Sequence, residues 1–207
     1  MSERTPGERT PRAIKSLAVF CGANTGADPR YLAAATALGQ ELGRRQMGLV
    51  YGGGSVGLMG AVAHAAQAAG ARVIGVIPEG LTTRELMGGP IGELTVVATM
   101  HERKALMALL SDAVVALPGG FGTLDELFEA ITWGQIGLQH KPIGLLNVAG
   151  YFDALVGFID HSVREGFIRP HHRDLFLVDG EIAPLLDRLA NHHPPAGLIP
   201  SQGLERA

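Results

Sequence analysis

Ala113-Val114-Val115-Ala116-Leu117-Pro118-Gly119-Gly120-Phe121-Gly122-Thr123-Leu124-Asp125-Glu126 reads as a buried strand, a glycine-rich turn and the start of a helix. The run 113–117 is apolar without interruption, the mark of a strand covered on both faces, and 124–137 reads as a helix. A strand, a glycine turn and a helix start form an anion site, because free backbone N–H groups and the positive end of the helix dipole point the same way. Glu126 is one turn inside that helix. A carboxylate so near a phosphate repels it, so its presence makes sense if it acts on another part of a phosphorylated molecule.

Outward from this unit the same alternation recurs. Strands are expected at 17–20, 48–51, 72–77, 94–97, 113–117, 143–147 and 175–178, and helices at 30–45, 58–69, 103–110, 124–137, 151–165 and 182–190. Near-continuous apolar strands alternating with helices imply an α/β fold, a doubly wound parallel sheet with helices on both faces. Ligands in such sheets bind beyond the carboxyl ends of the strands, where Gly22, Gly52 to Gly54 and Gly119 to Gly122 fall.

The 207 residues are 46% hydrophobic, ample for one core, so a single domain over 13–191 is expected between loose tails at 1–12 and 192–207. A net charge of -3 with only 5% aromatic residues argues against nucleic acid as a partner. No apolar run approaches a membrane span or a signal-peptide core. Cys21 is the lone cysteine, which fits a reducing compartment; a cytoplasmic protein is the expectation. The eight histidines lack zinc-ligand spacing, and no metal is expected.

Three further stretches carry chemistry. Gly52-Gly53-Gly54-Ser55-Val56-Gly57 matches G-x-G-x-x-G, which would bring Gly53 and Gly54 close to a phosphate or sugar, with Glu79 near the end of the next strand as a ribose-binding acid. The motif follows the second strand and not the first, which weakens a dinucleotide reading. Thr123 is expected to cap its helix. Thr123-Leu124-Asp125-Glu126 is also T-x-x-E, a capping box in which Glu126 satisfies the Thr123 amide; pattern alone leaves catalytic and capping roles for Glu126 equally open. In Met100-His101-Glu102-Arg103-Lys104, Arg103 and Lys104 fall in a first helical turn, where cations oppose the helix dipole. An anionic ligand is one reason for them, and a solvated basic pair is the other. Glu85 reads by pattern as a surface acid and Thr132 as a helix-packing residue.

Taken together these motifs resemble the LOG ("Lonely guy") family, cytokinin riboside 5'-monophosphate phosphoribohydrolases. Val19-Phe20-Cys21-Gly22-Ala23-Asn24, Tyr51 through Gly60, Met100-His101-Glu102-Arg103-Lys104, Pro118 through Glu126, Thr132-Trp133-Gly134-Gln135, Lys141 through Asn147 and Glu165-Gly166-Phe167 carry the resemblance. It implies a Rossmann-like homodimer that needs no cofactor and cleaves the bond between an N6-modified adenine and ribose 5-phosphate. It implies catalysis by Arg103 and Glu126. Gly119, Gly120, Phe121, Gly122, Thr123, Leu124 and Asp125 would hold the phosphoribosyl part with Lys104 alongside, and Glu85 and Thr132 would be further substrate contacts. Phe121 stands where tyrosine is common in the family and Asp125 where glutamate is common; neither change removes a needed group. Pyridoxal phosphate chemistry requires a lysine, and only Lys15, Lys104 and Lys141 exist. A nucleotide or molybdenum-cofactor carrier without hydrolysis is the alternative, and a dinucleotide-dependent oxidoreductase a third reading.

Overall fold

The computed structural model describes residues 12–82 and 89–195. Seven strands form one sheet: β1 (Ser16–Phe20), β2 (Gly48–Tyr51), β3 (Val73–Pro78), β4 (Glu93–Val97), β5 (Ala113–Ala116), β6 (Ile143–Leu146) and β7 (Phe176–Asp179), in the order β4-β3-β2-β1-β5-β6-β7. Every pairing is parallel. Among the described residues there are six α-helices, five between strands and the last after β7: α1 (Pro29–Arg44), α2 (Gly57–Ala68), α3 (Met100–Leu110), α4 (Phe121–Ile136), α5 (Asp153–Arg164) and α6 (Ile182–Asn191). This is the doubly wound α/β architecture that the strand pattern implied. None of the described helices is long and apolar enough to cross a membrane.

Side chains alternate across a strand, and in the central strands both faces are covered. Leu17 and Val19 of β1 join Leu38, Leu42, Val62 and Leu186 under α1, α2 and α6. Ala18 and Phe20 join Met107, Leu127, Ala130 and Ile159 under α3, α4 and α5. That double burial is why the central strands read as unbroken apolar runs. The chain steps outward from β1 to β4, then returns to the other side of β1 to place β5. The loops leaving β1 and β5 therefore diverge at a switch point, where a crevice must open. They are tied to each other by the Gly22 amide, which donates to the Pro118 carbonyl at 3.0 Å.

Three helix starts differ from the sequence reading. α3 begins at Met100, three residues early, because Thr99 caps it: its hydroxyl accepts from the Glu102 amide at 3.1 Å, and Glu102 reaches back to the Ala98 amide at 3.0 Å. The T-x-x-E cap thus operates at Thr99–Glu102. Arg103 and Lys104 accordingly follow the first turn and are not in it. α4 begins at Phe121 with Gly120 as its cap, so Thr123 is inside the helix and the expectation that it caps the helix is corrected. α5 begins only at Asp153, because a tight turn through Ala149 (φ 55) and Gly150 (φ 73) intervenes after β6.

Candidate active site

A cavity of about 480 Å³ opens at the switch point between β1 and β5. Its floor is the turn from β5 into α4. By helix geometry the amides of Phe121, Gly122 and Thr123 have no carbonyl one turn back within the helix; the first closing bond runs from the Leu124 amide to the Gly120 carbonyl at 3.1 Å. Gly120 supplies no side-chain cap, so the positive end of α4 faces the cavity with its donors exposed to an anion. Gly119 is obligatory for packing: a Cβ there would lie 2.1 Å from the Thr123 hydroxyl and 2.8 Å from the Gly22 amide nitrogen.

Two charged side chains face each other across this cavity. Arg103, from α3, is 5% exposed, and Glu126, from α4, is 8% exposed; Nη2 of the first is 3.6 Å from Oε1 of the second. Burying two charges costs several kcal/mol per ion before their attraction is counted, so hydrophobic stability does not explain the pair. The guanidinium is otherwise poorly supplied with acceptors. Nη1 is 3.8 Å from Met100 Sδ, and Nε has no hydrogen-bond partner among the described residues. Cys21, at the end of β1, lines the same cavity. Burial pushes its thiol pKa up, the Glu126 charge pushes the same way, and Arg103 opposes, which keeps the sulfur protonated and a poor nucleophile.

α4 sorts the residues that the sequence placed at the site. Thr123, Glu126, Leu127, Ala130 and Gly134 are its buried stripe, at helical spacing. Phe121, Asp125, Phe128 and Thr132 recur at i, i+4, i+7 and i+11 on the exposed face. Gly119, Gly120, Gly122 and Thr123 line the cavity with Arg103 and Glu126. Phe121 is 93% exposed, Leu124 is half-buried, and Thr132 donates to its own helix at the Phe128 carbonyl, 2.7 Å away. Lys104 is held between Asp125 at 3.2 Å and Glu129 at 3.0 Å and is not among the cavity's lining residues. Gly53 and Gly54 are buried and are not among the cavity's lining residues; Gly53 packs near Ile77 and Leu94. Glu85 lies outside the described residues. Glu79 is exposed in the turn after β3, and the face of Gly52 that a dinucleotide pyrophosphate would need is filled by the Arg103 guanidinium.

Other lining residues had no signal in the sequence. Tyr31 comes from the first turn of α1 and Tyr151 from the turn after β6; their rings meet edge to face at 5.5 Å, and the Tyr151 hydroxyl donates to the Gly119 carbonyl at 2.5 Å. Met59, Leu81 and Met100 form an apolar wall near Arg103. Met59 and Met100 lie within quoted motifs, yet a methionine beside a glycine loop reads as core until the fold places it.

The fold and this site define an α/β protein with a helix start open to an anion beside a buried arginine–carboxylate pair. The chain belongs to the LOG family of cytokinin riboside 5'-monophosphate phosphoribohydrolases. A family model described as "Possible lysine decarboxylase" matches residues 59–189. A cytokinin riboside 5'-monophosphate phosphoribohydrolase of Arabidopsis thaliana is 49% identical over 195 residues, 94% of this chain and 90% of the relative. A probable enzyme of the same name from Oryza sativa subsp. japonica is 50% identical over 186 residues, 90% of this chain and 76% of the relative. Among solved structures, the molybdenum cofactor carrier protein of Chlamydomonas reinhardtii superposes with a TM-score of 0.61 at 24% identity, covering 87% of this chain and 98% of the carrier. At that identity the likeness is one of fold. None of the three lysines is among the cavity's lining residues: Lys104 is held by acids, Lys141 donates to the Ala108 and Ser111 carbonyls at the end of α3, and Lys15 is exposed.

Proposed function

We propose that this protein hydrolyses the N-glycosidic bond of adenosine 5'-monophosphates, N6-modified ones included, releasing the free base and ribose 5-phosphate. The observation that carries this reading is the buried Arg103–Glu126 pair at 3.6 Å, one helical turn from an anion-binding helix start in the same cavity. The phosphate docks on the amides of Phe121, Gly122 and Thr123. Cleavage of the C1'–N9 bond sends its electron pair to the base and leaves positive charge on the ribose ring. The Glu126 carboxylate stabilises that charge and takes a proton from the water whose oxygen bonds to C1'; that proton ends on the departing base, which leaves as the neutral purine, and Glu126 returns to its carboxylate. Arg103 keeps its proton throughout; it hydrogen-bonds the ribose phosphate or the departing base. Binding energy from the phosphate orients the bond that breaks. By its resemblance to the family, Glu85 is a further substrate contact.

A homodimer in the cytoplasm completes the reading. The exposed apolar side chains Phe121 and Phe128 of α4 and Leu109 of α3 favour a partner surface, and light scattering at micromolar concentration tests it.

Release of base from AMP and N6-isopentenyl-AMP, followed by chromatography, tests the activity. Free base plus ribose 5-phosphate is expected from both, with little from adenosine. Glu126→Gln should lower kcat at least ~100-fold, within the range for loss of a general acid–base group, while AMP affinity stays within about threefold. Tight AMP binding without base release would turn the assignment to a carrier, and equal turnover of adenosine and AMP would sink the phosphate anchor.

A further inference from the structure

We infer that Gly52 is a positioning residue: the absent side chain at the end of β2 is the seat that fixes the Arg103 guanidinium opposite Glu126. This rests on the catalytic reading of Arg103 and Glu126 and gives the glycine loop a role in it. A Cβ built on Gly52 would lie 1.8 Å from Arg103 Nη2 and 2.9 Å from Cζ, far inside any van der Waals contact. Backbone conformation is not what demands glycine here. The positive-φ residues of the loop are Gly53 (φ 81) and Gly57 (φ 64), and Gly52 is not among them. An alanine would fit the chain at 52; it would not fit the guanidinium.

The other neighbours of Arg103 explain why a steric seat matters. A guanidinium has five N–H donors and is normally fixed by oxygen acceptors in a planar fork. Among the described residues, Nη1 has only a thioether sulfur at 3.8 Å, Nη2 stands 3.6 Å from Glu126, and Nε has no hydrogen-bond partner. With so few acceptors, shape sets the position: the flat group lies on the bare backbone of Gly52, with Met59 and Met100 beside it. A cation seated by packing keeps donors available to a substrate, whereas one clamped by carboxylates has spent them. The first glycine of the G-x-G-x-x-G pattern therefore makes room for a side chain of the protein, and not for a phosphate.

A double-mutant cycle of Gly52→Ala with Arg103→Lys tests this. Lysine has no atom at the Nη2 position; its ammonium, which falls where Cζ stood 2.9 Å from the new Cβ, and Met59 Sδ at 3.1 Å both end flexible side chains that can withdraw. Base release from AMP should show kcat lowered by roughly tenfold or more when Gly52→Ala is made in the natural background, since a misplacement near 1 Å can cost about 100-fold. In the Arg103→Lys background the same change should cost less than about twofold. Melting temperature reads the same cycle without activity: Gly52→Ala should lower it beside arginine and leave it nearly unchanged beside lysine. Folding of the double variant where Gly52→Ala alone fails to fold also supports the seat. Equal losses in both backgrounds, a natural kcat for Gly52→Ala, or failure of both variants to fold would overturn it. Full activity of Arg103→Lys with the melting cycle as expected would instead show that catalysis needs a cation at 103 and not the guanidinium itself, and would leave the seat standing.

Discussion

The Tyr151 hydroxyl reaches the Gly119 carbonyl at 2.5 Å from a turn that is itself braced. Asn147 accepts from the Phe152 amide and donates to Asp153, both at 2.7 Å. In a trans peptide the carbonyl and the following N–H point in opposite directions, so holding the Gly119 carbonyl also fixes the Gly120 amide at the start of the glycine turn. Tyr151→Phe removes one hydrogen bond worth about 0.5–1.5 kcal/mol, and its effect belongs to ground-state binding. KM for AMP should rise by about 2- to 10-fold with kcat nearly unchanged; a fall in kcat at constant KM would show that the tyrosine acts on the chemistry and not on the turn. Glu126 could be picked from sequence because an acid beside an anion site clashes with local needs, and Arg103 because it sits in a motif shared with the family; the first-turn placement expected for it is not where the structure puts it. Tyr31 and Tyr151 could not, because a tyrosine in a helix start or a turn offends no local rule.

At the scale of elements, α4 explains why a contiguous motif does not form a contiguous site. A helix turns 100° per residue, so Thr123 and Glu126 face inward while Phe121, Asp125 and Thr132 face out. The strand and the turn were legible from composition; the helix start lies one turn earlier than the pattern suggests, so Gly120 and not Thr123 is the cap. The pairing of α1 with α2 was not legible at all. Gly39 and Gly43 occur inside a helical pattern, where glycine is unfavourable by about 1 kcal/mol against alanine. The structure gives the reason: a Cβ at Gly39 would lie 2.4 Å from the Val62 carbonyl, and one at Gly43 would lie 2.3 Å from Ala69 Cβ. Gly39→Ala gains the helix propensity but must push two backbones apart, so a net loss of about 1–3 kcal/mol is expected. Urea unfolding checks it, and a stabilised variant would mean that the helices separate freely.

For the whole molecule, the return to β5 beside β1 creates the crevice, and the far edge of the sheet carries a liability. His172, in the turn before β7, is buried with neither ring nitrogen hydrogen-bonded among the described residues. Burial holds its pKa below the ordinary imidazole value, and the charges of His171 and Arg169 add to that. The folded protein therefore keeps it neutral, whereas the unfolded chain takes up a proton below about pH 6.5. Stability from this group is full above that pH and falls as the pH drops toward the lower folded pKa. Melting temperature should decline between about pH 7.5 and 5.5, and His172→Leu should reduce the decline, leaving the share of His192, whose pKa burial also lowers. An unchanged slope in His172→Leu would show that the imidazole reaches a partner or solvent.

The sequence by itself determined the class of fold, the strand–turn–helix unit whose free amides suit an anion, and the two charged residues worth attention. Those follow from hydrophobic period, glycine position, an acid that contradicts its local setting and an arginine in a family motif, all of which are local properties of a chain. Only the tertiary structure decided that Arg103 and Glu126 meet, that Gly52 holds a guanidinium, that Lys104 is engaged by Asp125 and Glu129, and that Tyr151 braces the turn. Each is a contact between segments far apart in sequence. Its existence depends on strand order and helix phase, and no local pattern encodes either.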